Sequence, residues 1–278
     1  MTSDFGGGRT HTVRAAGAEV RYVVQGGGPR ELVLVHGSGA HSGWWHSVLP
    51  RLAADWRVVT FDLSGHGGSE HRASYDGSTW AAELLAVLDA AGARRPVVAA
   101  HSLGGRVALL AAAVQPERFA ELVLLDTGIW APAGLQERLD ARQTRPARVY
   151  ATYAEARARF RLMPPQPQPP AAVLDPLVEH GLRQVPGGWT WKHDPAGFPH
   201  LYDRDVEHAA ATVSVPVTYA YGELSGVVSP ELAERAGAVL RRATTVALPG
   251  VHHHLPIEAP QACARLIDEA GRRCAAAS

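Results

Sequence analysis

One serine in this chain has a glycine or alanine at both the second position before it and the second position after it. It is Ser102, in the segment AHSLGG (100–105). Small residues at those positions let a serine occupy a sharp turn between a strand and a helix, with its hydroxyl exposed. Ser102 would then be placed to attack a carbonyl carbon, because a helix N-terminus favours developing negative charge. The alternative interpretation is a serine that only caps the helix.

A serine hydroxyl needs a base before it acts as a nucleophile. Three consecutive histidines, His252, His253 and His254, follow the last predicted strand. Metal sites take histidines from one helix face or from separate elements, whereas the side chains of adjacent residues diverge. We therefore expect no metal here and one of the three as a general base. Among the other histidines, His180 and His208 are expected at the surface.

Loops that carry such residues must be brought together by a scaffold, and the periodicity of the chain indicates which one. Short β-branched runs alternate with helical patterns, which is typical of βαβ units around a parallel sheet covered by helices on both faces. The predicted strands of this sheet are 31–35, 57–61, 96–100, 121–125, 217–221 and 244–248. The predicted helices are 41–54, 79–91, 103–114, 230–240 and a last one from 260 onward. A further strand at 20–24 is expected to form a hairpin with 31–35.

The alternation stops after Asp126. Between 129 and 212 no strand is predicted, and helical sequence at 137–160 leads into the proline-rich stretch 164–170. We interpret 129–212 as a helical cap over the carboxyl ends of the strands, where open α/β sheets bind ligands. A plain surface insertion is the alternative. The predicted domains are a first core part (1–128), the cap (129–212) and a second core part (213–278).

Composition excludes several classes of protein. The chain has 27 basic and 27 acidic residues among 278, so it lacks the basic excess of a nucleic-acid-binding protein. A hydrophobic fraction of 46% excludes intrinsic disorder. Two cysteines, Cys263 and Cys274, cannot form a disulfide framework. No apolar run has the length of a membrane span and no secretory leader is visible, so we expect a cytoplasmic protein without a membrane partner.

Taken in order, the motifs resemble those of the α/β-hydrolase superfamily. They are HGSG (36–39), Asp62 with GHGGS (65–69), HSLGG (101–105) and the stretch from 249 to Glu258-Ala259-Pro260. The family commonly has a Gly-His pair followed five residues later by Glu-x-Pro, and this spacing selects His253 as the base. The resemblance implies an oxyanion hole formed by the backbone N–H groups of Ser38 and Leu103. It also implies supporting roles for His36 and His101.

The acid departs from the family pattern. The family usually has an aspartate in a Gly-x-x-Asp segment after the seventh strand, and Ser225 stands at that position here. Glu223 lies two residues away, and Asp126 follows a strand from which some members supply their acid. We favour Asp126; Glu223, or a Ser–His dyad with no acid, are the alternatives. Trp130, four residues after Asp126, is expected to line an aromatic substrate pocket.

These residues predict a serine hydrolase without cofactor or metal. It would cleave an ester, lactone, thioester or activated carbon–carbon bond of a small, apolar or aromatic molecule. A second hypothesis keeps the fold and changes the reaction. The segment from Asp126 to Pro132 is also similar to that of cofactor-free dioxygenases acting on hydroxylated quinolones, and lyases and cyclases belong to the same hypothesis. A third is a non-catalytic ligand receptor. The expected partner is a small-molecule substrate, and the expected state is a monomer or homodimer.

Overall fold

The computed structural model describes residues 7–130, 147–197 and 204–276. Its strands are β1 (Arg9–Ala15), β2 (Ala18–Gln25), β3 (Arg30–Val35), β4 (Trp56–Phe61), β5 (Val97–His101), β6 (Glu121–Leu125), β7 (Leu182–Val185), β8 (Gly188–Trp191), β9 (Val217–Gly222) and β10 (Ala243–Leu248). Its α-helices are α1 (Gly77–Ala91), α2 (Leu103–Val114), α3 (Tyr153–Ala158), α4 (Ala171–Gly181), α5 (Arg204–Thr212), α6 (Pro230–Val239), α7 (Leu255–Glu258) and α8 (Pro260–Ala276). Within these ranges, no helix combines the length and the apolar character that crossing a bilayer requires.

Eight strands form one sheet in the order β1-β2-β4-β3-β5-β6-β9-β10. The six strands from β4 to β10 in that order are parallel, and β1 and β2 extend the sheet in antiparallel fashion. The predicted α/β class with a mostly parallel sheet is therefore confirmed. Because parallel strands end at the same edge, the loops after β5, β6, β9 and β10 meet there.

Alternate side chains of the central strands enter two separate cores. Val33 and Val35 pack in one core with residues of α1 and α2. Leu32 and Leu34 pack in the other with residues of α8. Both faces of the sheet are covered, which explains why the predicted strands are nearly continuous apolar runs.

The predicted hairpin between β2 and β3 is wrong. Strand β2 lies between β1 and β4, and β3 has parallel neighbours on both sides. A Cβ at Gly26 would lie 2.3 Å from the carbonyl oxygen of Trp56, and one at Gly28 would lie 1.9 Å from that of Asp55. The glycine run thus carries the chain across the start of β4 at contact distance instead of closing a hairpin.

The predicted helix at 41–54 is also wrong. The chain forms two short 3₁₀ helices there, Ser42–Trp45 and Leu49–Arg51. Gly43 is a poor helix former, and Pro50 lacks an N–H and disfavours helical backbone at the residue before it. Trp45 and Val48 are nevertheless fully buried. The helical spacing of apolar residues therefore indicated burial and not an α-helix.

The expectation that 129–212 contains no strand is contradicted by the antiparallel pair β7 and β8. Gly187 lies in the connection between them and Gly188 begins β8, and their φ angles are +88° and +143°. Glycine adopts such angles without steric strain, so the turn is a local signal that the prediction overlooked. Of the predicted helix at 137–160, residues 137–146 lie outside the described residues, and the described part contains α3. The division into core and cap stays a prediction.

Candidate active site

Ser102 occupies a strained turn between β5 and α2. Its φ and ψ angles are +53° and −115°, and left-handed φ is costly for a residue with a Cβ. Its backbone N–H donates to the carbonyl oxygen of Leu125 at 3.0 Å, and its side chain makes no capping hydrogen bond to α2. The hydroxyl of Ser102 therefore does not serve as a helix cap.

The turn is tight because α2 lies directly on the sheet. A Cβ at Gly104 would lie 2.6 Å from the carbonyl oxygens of Val35 and His36. One at Gly105 would lie 1.9 Å from Thr127 Oγ1. Both distances are too short for any side chain, so the two glycines that follow Ser102 are required by the packing of α2.

The imidazole of His253 is held by Asp126. His253 Nδ1 donates to Asp126 Oδ1 at 2.8 Å, and both side chains are buried. Asp126 follows β6 and has a φ of +49°. Its second oxygen, Oδ2, accepts the backbone N–H of Gly222 at 2.8 Å. Of the two carboxylates considered from the sequence, Asp126 is the one that contacts His253.

The rival carboxylate, Glu223, is directed elsewhere. It is exposed, and its Oε2 accepts the backbone N–H of Gly250 at 3.0 Å. Ser225, at the usual position of the family acid, donates its hydroxyl to Asp126 Oδ1 at 2.6 Å. Two residues from separate loops thus converge on the same oxygen of Asp126.

Of the three consecutive histidines, His252 diverges as expected, whereas the rings of His253 and His254 lie only 4.9 Å apart between centroids, against the expectation. His252 Nδ1 contacts Glu258 Oε1 at 2.8 Å, while the His254 ring lies against Trp44 with 5.1 Å between centroids. Ring nitrogens of His101, His253 and His254 nevertheless lie within 4.8 Å of one another. His253 Nδ1 is hydrogen-bonded to Asp126, and His101 Nε2 is hydrogen-bonded to the carbonyl oxygen of His253 at 2.9 Å.

Burial keeps His101 and His254 neutral. Desolvation, reinforced by the neighbouring His253, lowers the pKa of His101 to about 3. The same two causes lower the pKa of His254. Neutral His101 donates through Nε2 to the backbone carbonyl of His253. This contact joins the loop carrying His253 to the end of β5, next to Ser102, which agrees with the supporting role expected for His101.

The HGSG loop is held by two further neutral imidazoles. His36 Nε2 accepts the N–H of Leu63 at 3.0 Å, and His66 Nε2 accepts the N–H of Gly39 at 3.1 Å. Burial is the main cause that lowers the pKa of both rings. His36 therefore supports the loop as expected. Sequence reasoning missed the contact of His66, although His66 lies in the GHGGS motif.

The loop also closely approaches the serine turn. A Cβ at Gly37 would lie 2.8 Å from His101 Nδ1 and 3.3 Å from Ser102 Cβ. Leu103 is the first residue of α2, so its N–H belongs to the helix end that has no acceptor within the helix. Ser38 and Leu103 are thus on segments next to Ser102, and their use as oxyanion donors stays a proposal.

A family model described as the alpha/beta hydrolase fold matches residues 31–260. The chain belongs to this family. The resemblance expected from its motifs is thereby confirmed.

Similar proteins include other members with described activities. A pimeloyl-[acyl-carrier protein] methyl ester esterase of Edwardsiella ictaluri is 29% identical over 273 residues, which cover 89% of this chain and 96% of that protein. A serine hydrolase-like protein of Danio rerio is 32% identical over 212 residues, 66% of this chain and 64% of that protein. The thioesterase domain from the curacin biosynthetic pathway superposes with a TM-score of 0.79 at 24% identity, over 94% of this chain and 99% of that domain. This last likeness shows the shared fold.

Trp130, predicted to line the substrate pocket of this alpha/beta hydrolase, contacts two helices. Its Nε1 donates to Glu207 Oε1 at 2.9 Å, and the Arg235 guanidinium lies 3.8 Å from its ring centroid. These contacts are with α5 and α6, so a role of Trp130 in substrate binding stays a prediction. Trp44 is buried beside His254.

The two histidines expected at the surface behave differently. His208 is exposed, as expected. His180 is buried, and its ring lies 4.7 Å from that of His41 between centroids, so the prediction for His180 is wrong. It lies on α4, for which no helix, and therefore no buried face, is predicted from the sequence.

Proposed function

We propose that this alpha/beta hydrolase cleaves a carboxylic ester or thioester of a small, apolar or aromatic molecule. Ser102 is the nucleophile, His253 the base and Asp126 the acid of the triad. The observation that carries the proposal is the 2.8 Å contact between His253 Nδ1 and Asp126 Oδ1, on the sheet edge where Ser102 follows β5. The names of the relatives, a methyl ester esterase and a thioesterase domain, favour esters and thioesters over lactones and carbon–carbon bonds.

The contact with Asp126 determines the tautomer of His253. An ionised carboxylate only accepts hydrogen bonds, so the proton of neutral His253 resides on Nδ1 and leaves Nε2 basic. His253 Nε2 takes the proton of Ser102 as its Oγ attacks the substrate carbonyl. The negative charge of Asp126 stabilises the imidazolium that forms, without taking its proton.

The backbone N–H groups of Leu103 and Ser38 bind the oxyanion of the tetrahedral intermediate. The intermediate collapses as the bond to the leaving alcohol or thiol breaks, and His253 returns the proton to that leaving group. Water then attacks the acyl-serine and gives its proton to His253. Expulsion of Ser102, which takes the proton back, releases the carboxylic acid.

Labelling and turnover of a Ser102→Ala variant test the proposal. The wild-type protein should hydrolyse p-nitrophenyl esters and gain one phosphonate group on Ser102 from a fluorophosphonate probe. Ser102→Ala should lose the label and at least about 10³-fold in kcat. Ser74→Ala, a matched change at an exposed serine, should behave as the wild type. Hydrolysis that survives in Ser102→Ala would refute the serine as nucleophile.

The same His253–Asp126 contact also favours a second candidate, in which His253 deprotonates the substrate directly. A cofactor-free dioxygenase, a lyase or a cyclase on this fold would work in that way. Its signature is turnover of a hydroxylated aromatic substrate that survives Ser102→Ala, with oxygen uptake in the dioxygenase case. A ligand receptor, the third hypothesis from the sequence, would bind tightly and turn nothing over.

A further inference from the structure

Ser225 is the residue of the β9–α6 loop that lies against the carboxylate of Asp126. It is partly buried, and its Oγ lies 2.6 Å from Asp126 Oδ1. The same Oγ accepts the backbone N–H groups of Val227 at 3.0 Å and Val228 at 3.2 Å. The hydroxyl therefore contacts three groups: two donors and one acceptor.

These contacts determine the direction in which the hydroxyl proton points. A serine hydroxyl has one proton and two lone pairs. Because two backbone N–H groups occupy the lone pairs, the proton is directed at Asp126 Oδ1. A separation of 2.6 Å is typical of a charge-assisted O–H···O⁻ bond, which is stronger than a bond between neutral groups.

The oxygen that Ser225 contacts is the one that binds His253. Asp126 Oδ1 accepts from both Ser225 Oγ and His253 Nδ1, while Oδ2 accepts from Gly222 N–H. The donors on both oxygens prevent rotation of the carboxylate about its Cβ–Cγ bond. The hydroxyl of Ser225 also draws charge from Oδ1, so His253 contacts a less basic acceptor than a carboxylate without this donor.

We infer that Ser225 is a positioning residue that orients the Asp126 carboxylate for His253 and moderates the basicity of His253. The inference rests on the proposed triad and extends it to a fourth side chain. A serine at this loop position complements an acid supplied from β6: it gives the carboxylate a donor where a second carboxylate would repel it.

The test is a double-mutant cycle between positions 225 and 126. Ser225→Ala should lower kcat about tenfold with little change in KM, because binding of the substrate does not involve this bond. Ser225→Thr, which keeps a hydroxyl, should restore most of kcat. In an Asp126→Asn background, Ser225→Ala should cost little further in kcat, since the negative charge of its partner is already lost. Ser229→Ala is the matched control, because its Oγ caps α6 through Leu232 N–H and it should keep wild-type kcat.

The pH profile separates positioning from mere support of the loop. Without the donor from Ser225, Asp126 becomes a stronger acceptor and stabilises the protonated imidazole. The acidic limb of kcat/KM should therefore move to higher pH in Ser225→Ala, by on the order of half a unit. If Ser225 only supported the loop, Ser225→Ala would lower activity, and the acidic limb of kcat/KM would stay at the same pH.

Two results would overturn the inference. One is a decrease in kcat from Ser225→Ala that is equally large in the wild-type and the Asp126→Asn backgrounds. The other is wild-type kcat in a folded Ser225→Ala protein. Failure of the proposed function is distinguishable, because it appears as an unlabelled Ser102 in the wild type. The low-field NMR signal of the His253 Nδ1 proton reports the Asp126 contact in either case, and it should shift in Ser225→Ala and stay in Ser229→Ala.

Discussion

Lowering the pH from 7.5 to 5.5 should strongly destabilise the fold, because several buried histidines are neutral in it. The pKa of each is lowered, with desolvation as the largest cause; they are His36, His41, His66, His101 and His254. Three of them accept a backbone N–H on a ring nitrogen. The donor is Leu63 for His36, Gly43 for His41 and Gly39 for His66. Protonation of such a ring nitrogen would replace the acceptor by a second donor and break the bond.

The sign and size of the effect follow from proton linkage. The pKa of these groups is lower in the folded state than the ordinary value of 6.5, so below that pH the unfolded chain binds more protons. The free energy of unfolding is then unchanged above pH 6.5 and falls below it. For His101 the fall continues down to its folded pKa of about 3. For His101 this amounts to about 1.4 kcal/mol of unfolding free energy lost at pH 5.5, and each of the other four histidines lowers the unfolding free energy in the same direction. One such loss is already a measurable part of the stability of a typical domain, about 5–15 kcal/mol.

Urea unfolding followed by tryptophan fluorescence measures the effect, at pH 7.5, 6.5 and 5.5 and at constant ionic strength. Aspartate and glutamate with ordinary pKa values near 4 contribute little in this window. His66→Gln should reduce the dependence on pH, since one of the five groups is removed. His208→Gln, at an exposed position, should not reduce it. A change of less than about 1 kcal/mol between pH 7.5 and 5.5 would refute the reasoning, as would equal slopes for His66→Gln and the wild type.

Two further predictions concern packing. Glu83 is buried, and its Oε1 lies 2.7 Å from Arg72 Nη2. Glu83→Ala should therefore lower the free energy of unfolding in urea by about 3–5 kcal/mol, because the charge of Arg72 loses its partner. Glu234→Ala, at an exposed position, should lower it by less than about 0.5 kcal/mol. Gly105→Ala should destabilise the protein by about 3 kcal/mol, because its Cβ would lie 1.9 Å from Thr127 Oγ1. Adding Thr127→Ala should recover part of that loss, and a stable Gly105→Ala protein with no loss in urea midpoint would contradict this account of the turn.

Features that depend on short stretches of sequence could be predicted from the chain alone. The alternation of apolar strands and helices identified the parallel sheet, because both faces of each strand are buried. The small residues around Ser102 identified the turn between β5 and α2, because steric clash there involves only nearby backbone. The rule that apolar spacing predicts a helix failed near Pro50, where the chain forms two 3₁₀ helices. The buried residues there have the spacing of an α-helix although the backbone does not form one.

Contacts between residues far apart in the chain depend on strand order and on the packing of loops. The choice between Asp126 and Glu223 as partner of His253 is of this kind, since Asp126 and His253 are 127 positions apart. The sequence showed that an acid was missing at Ser225 and offered two substitutes. Only the tertiary structure, by placing the ends of β6, β9 and β10 side by side, brought Asp126 against His253 and turned the hydroxyl of Ser225 onto the same oxygen.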